Sequence, residues 1–450
     1  MCETKEARTL VLQIREVLRD HTVEISEMST RMETRVYRKL IHVFSAVGDP
    51  RQSGMVEYNL SEILLMVFLS MLGGADACTE MERFWVCRPK VYRRIFRKDM
   101  VPSHDTFRRI LGILKPDEVN AATVSAISES TNAIRKAFGL KPVKMAHYSV
   151  DGKQLKGTGR EDTATGPKRD LQTLNIYDNY NGTCLCTAAI DEKSNEIPKA
   201  QELLSGMCLN DTVVTFDALH TQKETARVIS ERGGHYVGGL KGNQPTLNAF
   251  AESLFTGKAM DRIRESGDDY LETKEISHNQ YEERRFYLKK LTPLHKETTF
   301  EGWSNAKALV RYDKTTVGNN TGKTGAETRY YLTSLTNVVQ ASDCIRGHWG
   351  VENNLHNGLD TVMMEDMMEL SDRTAATNKS ILHKMCLQLL TLVQSVTGQK
   401  GKYGKKTIRK SFGWAFEDQM KEMLTLIDPY ALKCCLTIVP KEKPAKKTKK

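Results

Sequence analysis

Near residue 145 the hydrophobic period of the chain changes, and that change constrains its fold more than any other feature. From about 20 to 140, apolar residues recur at three-and-four spacing with few strand-like runs, the pattern of amphipathic helices. Beyond 145, short runs of period two alternate with helical stretches, which argues for an α/β domain. Strands are expected at about 145–151, 171–178, 183–190, 212–217 and 235–240, and helices at about 196–206 and 221–232. Three strands in a row, then a helix, a strand, a helix and a fifth strand make a mixed sheet, not the strict alternation of a doubly wound nucleotide fold. A second strand-rich stretch over 270–340 (YEERRFYLKKL, NAKALVRYD, TRYYLTSL) reads as a β-rich insertion, and helices resume from 341 to about 395. The expected organisation is an all-α region over 1–143, an α/β domain over 144–395 with its insertion at about 245–340, and an extension over 396–450.

Within the helical region, Asn59 followed three residues later by Glu62 resembles a capping box opening a 60–72 helix. Its apolar core, Ile63 to Leu72, is about half of the roughly 20 residues a spanning helix needs, so it reads as a buried helix and no membrane is expected as a partner. Pro102-Ser103 starts a further helix, in which Phe107, Ile110, Leu111 and Leu114 share an apolar face and Arg108 and Arg109 lie off it. A basic helix after a turn is able to enter a DNA groove; a solvated face is the plainer alternative.

Charge and cysteine usage narrow the class. The net charge is +10, but residues 400–450 hold 14 basic and 5 acidic residues, so nearly all of it is C-terminal. A tail such as KEKPAKKTKK suits a polyanion and equally serves solubility. The 450-residue length excludes a peptide hormone or a stapled miniprotein, and MCETKEARTL has no apolar run for a signal peptide. Ten cysteines without a CxxC pair read as free core thiols in a reducing, cytoplasmic setting.

Three acidic residues stand where a core would not want them. Asp151 ends the alternating strand MAHYSVD, and Asp217 ends TVVTFDA at the mouth of a sheet. Glu352 lies in IRGHWGVENNLH, where three-and-four spacing places it on one helix face with Ile345, Trp349 and Leu355, directed inward. An unpaired carboxylate there costs several kcal/mol or is protonated, so a cation is the economical explanation. Such oxygens suit magnesium, with manganese as the alternative. Strand-end capping and surface charge are the other readings of these residues.

Each carboxylate sits in a longer string. DGKQLKGT surrounds Asp151, VVTFDALHTQ surrounds Asp217, and IRGHWGVENNLHNGLDTVMMEDMM surrounds Glu352. FSAVGDPRQSG, YNLSEILLMVFLSMLGGA, VPSHDTFRRIL, DEKSNEIPKAQELL and GGHYVGGLKGNQPTL occur in order around them. Over roughly residues 44–395 the chain resembles the H-repeat-associated group of insertion-sequence transposases, DDE enzymes with a ribonuclease-H-like core. That resemblance implies that Asp151, Asp217 and Glu352 are the metal-binding catalytic triad. Arg346, His348, Trp349 and Asn353 become candidates for contacting DNA or orienting the glutamate. Lys153, Lys193, Asn195, Glu196, His220, Gln222, Lys241, Asn243 and Gln244 form a second tier. Arg51, Arg108 and Arg109 would recognise or clamp DNA.

The chain departs from the family pattern at Asn357, Thr361 and Met363, at Glu369 and Ser371 where arginines are usual, and at Asp170, His278-Asn279-Gln280 and Leu359. The resemblance implies metal-dependent cleavage of double-stranded DNA at element ends and joining to target DNA, by a homodimer or higher assembly associated with the nucleoid. A domesticated DNA-binding protein and a nuclease without strand transfer are the rival expectations.

Overall fold

Alternating side chains along five strands set up the central sheet. The computed structural model describes residues 9–159, 161–162, 166–167, 169–190, 195–277, 280–318, 322–399 and 402–441. The strands are β1 (Ala146–Leu155), β2 (Leu171–Asp178), β3 (Thr183–Ile190), β4 (Thr212–Phe216), β5 (His235–Leu240), β6 (Tyr270–Ser277), β7 (Gln280–Lys290), β8 (Ala308–Gly318) and β9 (Thr324–Thr333). They form one nine-stranded sheet in the order β3-β2-β1-β4-β5-β9-β8-β7-β6. β1, β4 and β5 are parallel neighbours, and the other pairs are antiparallel. The β-rich insertion therefore extends the central sheet from the edge of β5 instead of forming a separate layer.

Each face of the sheet is covered, as its apolar strands require. Helices Glu196–Ser205, Lys223–Glu231 and Pro245–Leu254 bury Ala200, Ala226, Ile229 and Ala251 against Val150, Val214 and Leu332 on one side. Helix Val338–His348 packs Ala341, Cys344 and Ile345 against Val213, Val310 and Tyr312 on the other.

The helical region is built around Leu60–Leu72, which is buried along almost its whole circumference, as its nearly unbroken apolar sequence demands. The capping box expected there is absent. Asn59 makes no side-chain cap, and Glu62 instead meets Lys98 at 2.9 Å. Helix His104–Ile113 does begin as expected, with the Ser103 side chain accepting from the Thr106 amide.

The expected division at 395/396 does not follow the packing. Helix Arg373–Val396 shares one core with the N-terminal helices, and so do Lys405–Trp414, Phe416–Ile427 and Pro429–Cys435 from the supposed extension. Leu436–Pro440 pairs antiparallel with His21–Ile25, joining the two ends of the described chain. Much of the C-terminal stretch is thus core and not tail, because Phe412, Phe416, Met420, Met423 and Leu424 carry a helical apolar face. The lysine-rich end itself, 442–450, lies outside the described residues.

Candidate active site

The polar side of β1 leads to the site. His147, Ser149, Asp151 and Lys153 alternate onto one face, while Tyr148 and Val150 join the core beneath the opposite face. β4 is aligned with β1 so that Val150 is opposite Phe216. Asp217, one residue past the end of β4, is therefore the neighbour of Asp151; the expected strand end at Asp151 is not observed, since β1 runs on to Leu155 paired with β2, and only its pairing with β4 stops at Val150. The Oδ1 of Asp217 accepts the amides of Leu219 at 3.0 Å and His220 at 3.2 Å, which fixes the turn leaving the strand.

Glu352 reaches the same place by a route that a regular helix would not take. After Val338–His348 the backbone widens into a π-helical turn, Val351–His356, in which the Asn357 amide bonds back to the Glu352 carbonyl. The extra residue shifts the facing. Val351 and Leu355 are buried, and Glu352 is exposed, so the inward position expected from regular spacing is not observed. Trp349, expected beside it, packs against Tyr312 and under Arg329.

Three contacts place this turn. Gly347 and Gly350 let it approach the sheet; a Cβ would stand 2.7 Å from the His147 ring at Gly347 and 2.4 Å from Asn179 Oδ1 at Gly350. His348 Nδ1 lies 3.0 Å from Thr215 Oγ1, which in turn meets His147 Nε2 at 2.9 Å and Ser149 Oγ at 3.0 Å. Lys153 Nζ is 2.6 Å from Asp360 Oδ1, just beyond the turn. Burial lowers the pKa of His348 to about 4, although Asp217 opposes this, and lowers that of His147 to about 3, so both rings are neutral at neutral pH.

The electrostatics single out Asp151. Burial, then Glu352, then Asp217, with Glu196 a smaller contributor, push its pKa up to about 7. Glu196 rests over Gly152, where a Cβ would stand 2.4 Å from its Oε1, so a fourth carboxylate faces the same basin. Nearby imidazoles stand at 3.6 Å (His356 to Asp151) and 3.4 Å (His220 to Glu196). Burial lowers the pKa of His356 to about 3, so it brings no charge. Among the described residues, no lysine or arginine pairs with Asp151, Asp217, Glu352 or Glu196. No three His, Cys, Asp or Glu side chains among them stand at metal-holding geometry either. The carboxylates are electrostatic neighbours without converging on one point.

Most of the other candidates are engaged elsewhere. Lys153 is buried and meets Asp360 and Asp366, so it is not positioned to offer its charge to a phosphate. Arg346 pairs with Glu275 at 3.0 Å, and Asn195 caps helix Glu196–Ser205. Asn243 and Gln244 donate to the carbonyls of Ala218 and Thr221, and Gln222 donates to that of Leu219, holding the loop after Asp217. Lys241 and Asn353 are exposed; Lys193 lies outside the described residues.

Arg51, Arg108 and Arg109 converge on one cleft of about 660 Å³, opposite Glu369 and Asp372. Arg51 pairs there with Asp49 and Arg108 with Asp105, each at 2.7 Å. Sequence reasoning missed the Thr215–His348 bridge and the π turn. The polar alternation His147, Ser149, Asp151 on β1 and Thr215, Asp217 at β4 was the available signal for the bridge.

A 3-2-1-4-5 core sheet with one acid on its central strand, another just past the adjacent parallel strand, and a third on the turn that follows the insertion and its helix has the layout of a ribonuclease-H-like DDE domain. Residues 142–389 match the Transposase DDE domain family, and residues 41–125 match the DDE_Tnp_1-associated family. The chain belongs to the DDE transposase family. It is 27% identical over 372 residues to the putative transposase YncI of Escherichia coli O157:H7, covering 82% of this chain and 91% of that one. It is 26% identical over 359 residues to the H repeat-associated putative transposase YhhI of Escherichia coli K12, covering 79% and 90%. Among solved structures, a piggyBac transposase synaptic complex with hairpin DNA aligns over 96% of this chain and 83% of that one, at 11% identity and a TM-score of 0.34.

Proposed function

We propose that this protein is an insertion-sequence transposase that cuts DNA at its element's ends and joins the freed 3′ ends to target DNA, with Asp151, Asp217 and Glu352 as its metal-binding catalytic residues. The observation that carries this reading is the placement of Asp151 beside Asp217 by the β1–β4 pairing, with Glu352 near enough to help raise the Asp151 pKa, in a basin without a lysine or arginine partner among the described residues. Hard oxygen donors without a basic partner fit magnesium or manganese. Glu352 is exposed and so is free to rotate toward the two aspartates. When bound there, divalent cations would activate an attacking oxygen and stabilise the leaving one in an in-line displacement.

The chain's own residues supply the positioning. Neutral His348, held to Thr215, and the Lys153–Asp360 pair fix the glutamate turn against β1 from both ends. The arginine cleft of the helical region and the exposed Lys241 would hold the DNA backbone, an interaction that weakens steeply with salt. Synapsis of two ends calls for a dimer or higher assembly. No described helix is long and apolar enough to cross a membrane. Action on chromosomal DNA would put the protein at the nucleoid.

The test is an end-labelled duplex carrying the element's terminal repeat, incubated with magnesium. The wild type should nick at the element boundary, and Asp151→Asn should not; retained magnesium-dependent cleavage in that variant would contradict the assignment. Pre-cut ends offered a supercoiled target should give joined products, whereas a nuclease would give none.

A further inference from the structure

A cavity of about 190 Å³ lies beside the π turn, between helix Leu10–Asp20, the connection from β2 to β3, and helix Arg373–Val396. Asn354 and Leu355, two and three residues past Glu352, form part of its wall. Its charged lining consists of Arg15, Lys384 and Lys405, and no carboxylate lines it among the described residues. Elsewhere three buried cations are paired with a carboxylate, Lys153 with Asp360, Arg284 with Glu282 and Arg409 with Asp76.

Two of the three lining cations, Arg15 and Lys405, have no carboxylate partner among the described residues. Among the described residues the Arg15 Nε is buried without a hydrogen-bond partner, and burial alone lowers that residue's pKa. Lys405 reaches, among them, only Thr391 Oγ1, at 3.4 Å, and is likewise lowered by burial alone. Lys384 donates to Ser380 Oγ at 2.7 Å; burial lowers its pKa, and its main electrostatic counterweight, Glu365, is not part of the cavity wall. Gathering three cations, two of them largely desolvated, around a void is unfavourable unless an anion joins them. An arginine fork with two flanking ammonium groups suits the tetrahedral oxygens of a phosphate. The volume admits one phosphate with part of its sugar, and not a duplex.

We propose that this cavity is a phosphate-binding site that seats one phosphate of the DNA strand running past the glutamate turn. That the phosphate belongs to DNA rests on the proposed function; the cavity's preference for an anion does not.

The test uses the full chain in EDTA, so that no cleavage chemistry enters and a failure of the catalytic assignment leaves the result unchanged. Duplex affinity is measured by fluorescence anisotropy over a range of salt. Arg15→Gln/Lys405→Gln should weaken binding about tenfold near 0.1 M salt and flatten the log–log salt slope by about 0.9, the value of one lost phosphate contact. The charge-conserving pair Arg15→Lys/Lys405→Arg should restore both. Pyrophosphate as the probe in thermal unfolding separates the sources. Stabilisation that is lost in the glutamine pair, with an unchanged DNA slope, would overturn the DNA assignment in favour of a free phosphate compound. An unchanged slope together with no pyrophosphate effect would overturn the site altogether. Should the glutamine pair unfold, Arg15→Gln alone, at a partly exposed position, carries the same comparison.

Discussion

Two acidic clusters lie close together in this fold and are treated in opposite ways. Asp151, Asp217, Glu352 and Glu196 are electrostatic neighbours, with imidazoles the only basic groups paired to them among the described residues. Asp360, Asp366, Glu365 and Asp76 are instead met by Lys153, Lys156, His383 and Arg409. Burial raises the carboxylate pKa in both places, so burial does not separate them. The neighbours do. Asp151 is driven further up, to about 7, by its acidic neighbours. At Glu365, fully buried, burial is outweighed by His383, Lys384 and Lys153, and the pKa falls to about 2. The second cluster carries its counter-charge within the chain and ties the helical region, the glutamate segment and the C-terminal helices together. The first has no lysine or arginine partner among the described residues, as the proposed cation site would require.

That contrast is open to attack in order of expected effect. Asp151→Asn should lower magnesium-dependent cleavage by about 10³-fold, worth about 4 kcal/mol of barrier, as read from single-turnover rates on terminal-repeat DNA. Glu365→Gln should cost about 3–5 kcal/mol of stability in a denaturant titration, because it strips the counter-charge from buried Lys384.

The two clusters should also respond oppositely to pH. With the folded pKa of Asp151 raised above its unfolded value, that group destabilises the metal-free protein progressively as pH climbs from about 4 to about 7, and by a constant amount above. In EDTA at pH 8, Asp151→Asn should therefore be more stable than the wild type by about 1–2 kcal/mol, after discounting for the quarter of the side chain that is exposed. The difference should vanish at pH 4. Glu365, with its folded pKa depressed, contributes stability present above about pH 4.5 that is lost as pH falls toward 2. As a control outside both clusters, Ser103→Ala should cost about 1 kcal/mol through the lost helix cap and leave these pH responses unchanged.

The sheet was legible in the sequence because period-two strands such as 171–178 and 183–190 report their own boundaries. Asp217 was legible as a strand-end acid for the same reason, whereas Asp151 was read as ending a strand that in fact continues to Leu155. The facing of Glu352 was not, since one π turn breaks the spacing on which the argument depends. Lys153 reads as a free basic residue until the fold brings Asp360, 207 residues away, against it. The C-terminal stretch misled through composition: its lysines dominate the count, while the apolar face of 416–427 decides the packing.

The central claim is that Asp151, Asp217 and Glu352 together hold divalent metal. Anomalous diffraction from crystals grown with manganese tests it most directly. The account predicts a manganese peak bounded by oxygens of all three side chains. Manganese bound elsewhere, with Glu352 still turned to solvent and outside its coordination sphere, would contradict it.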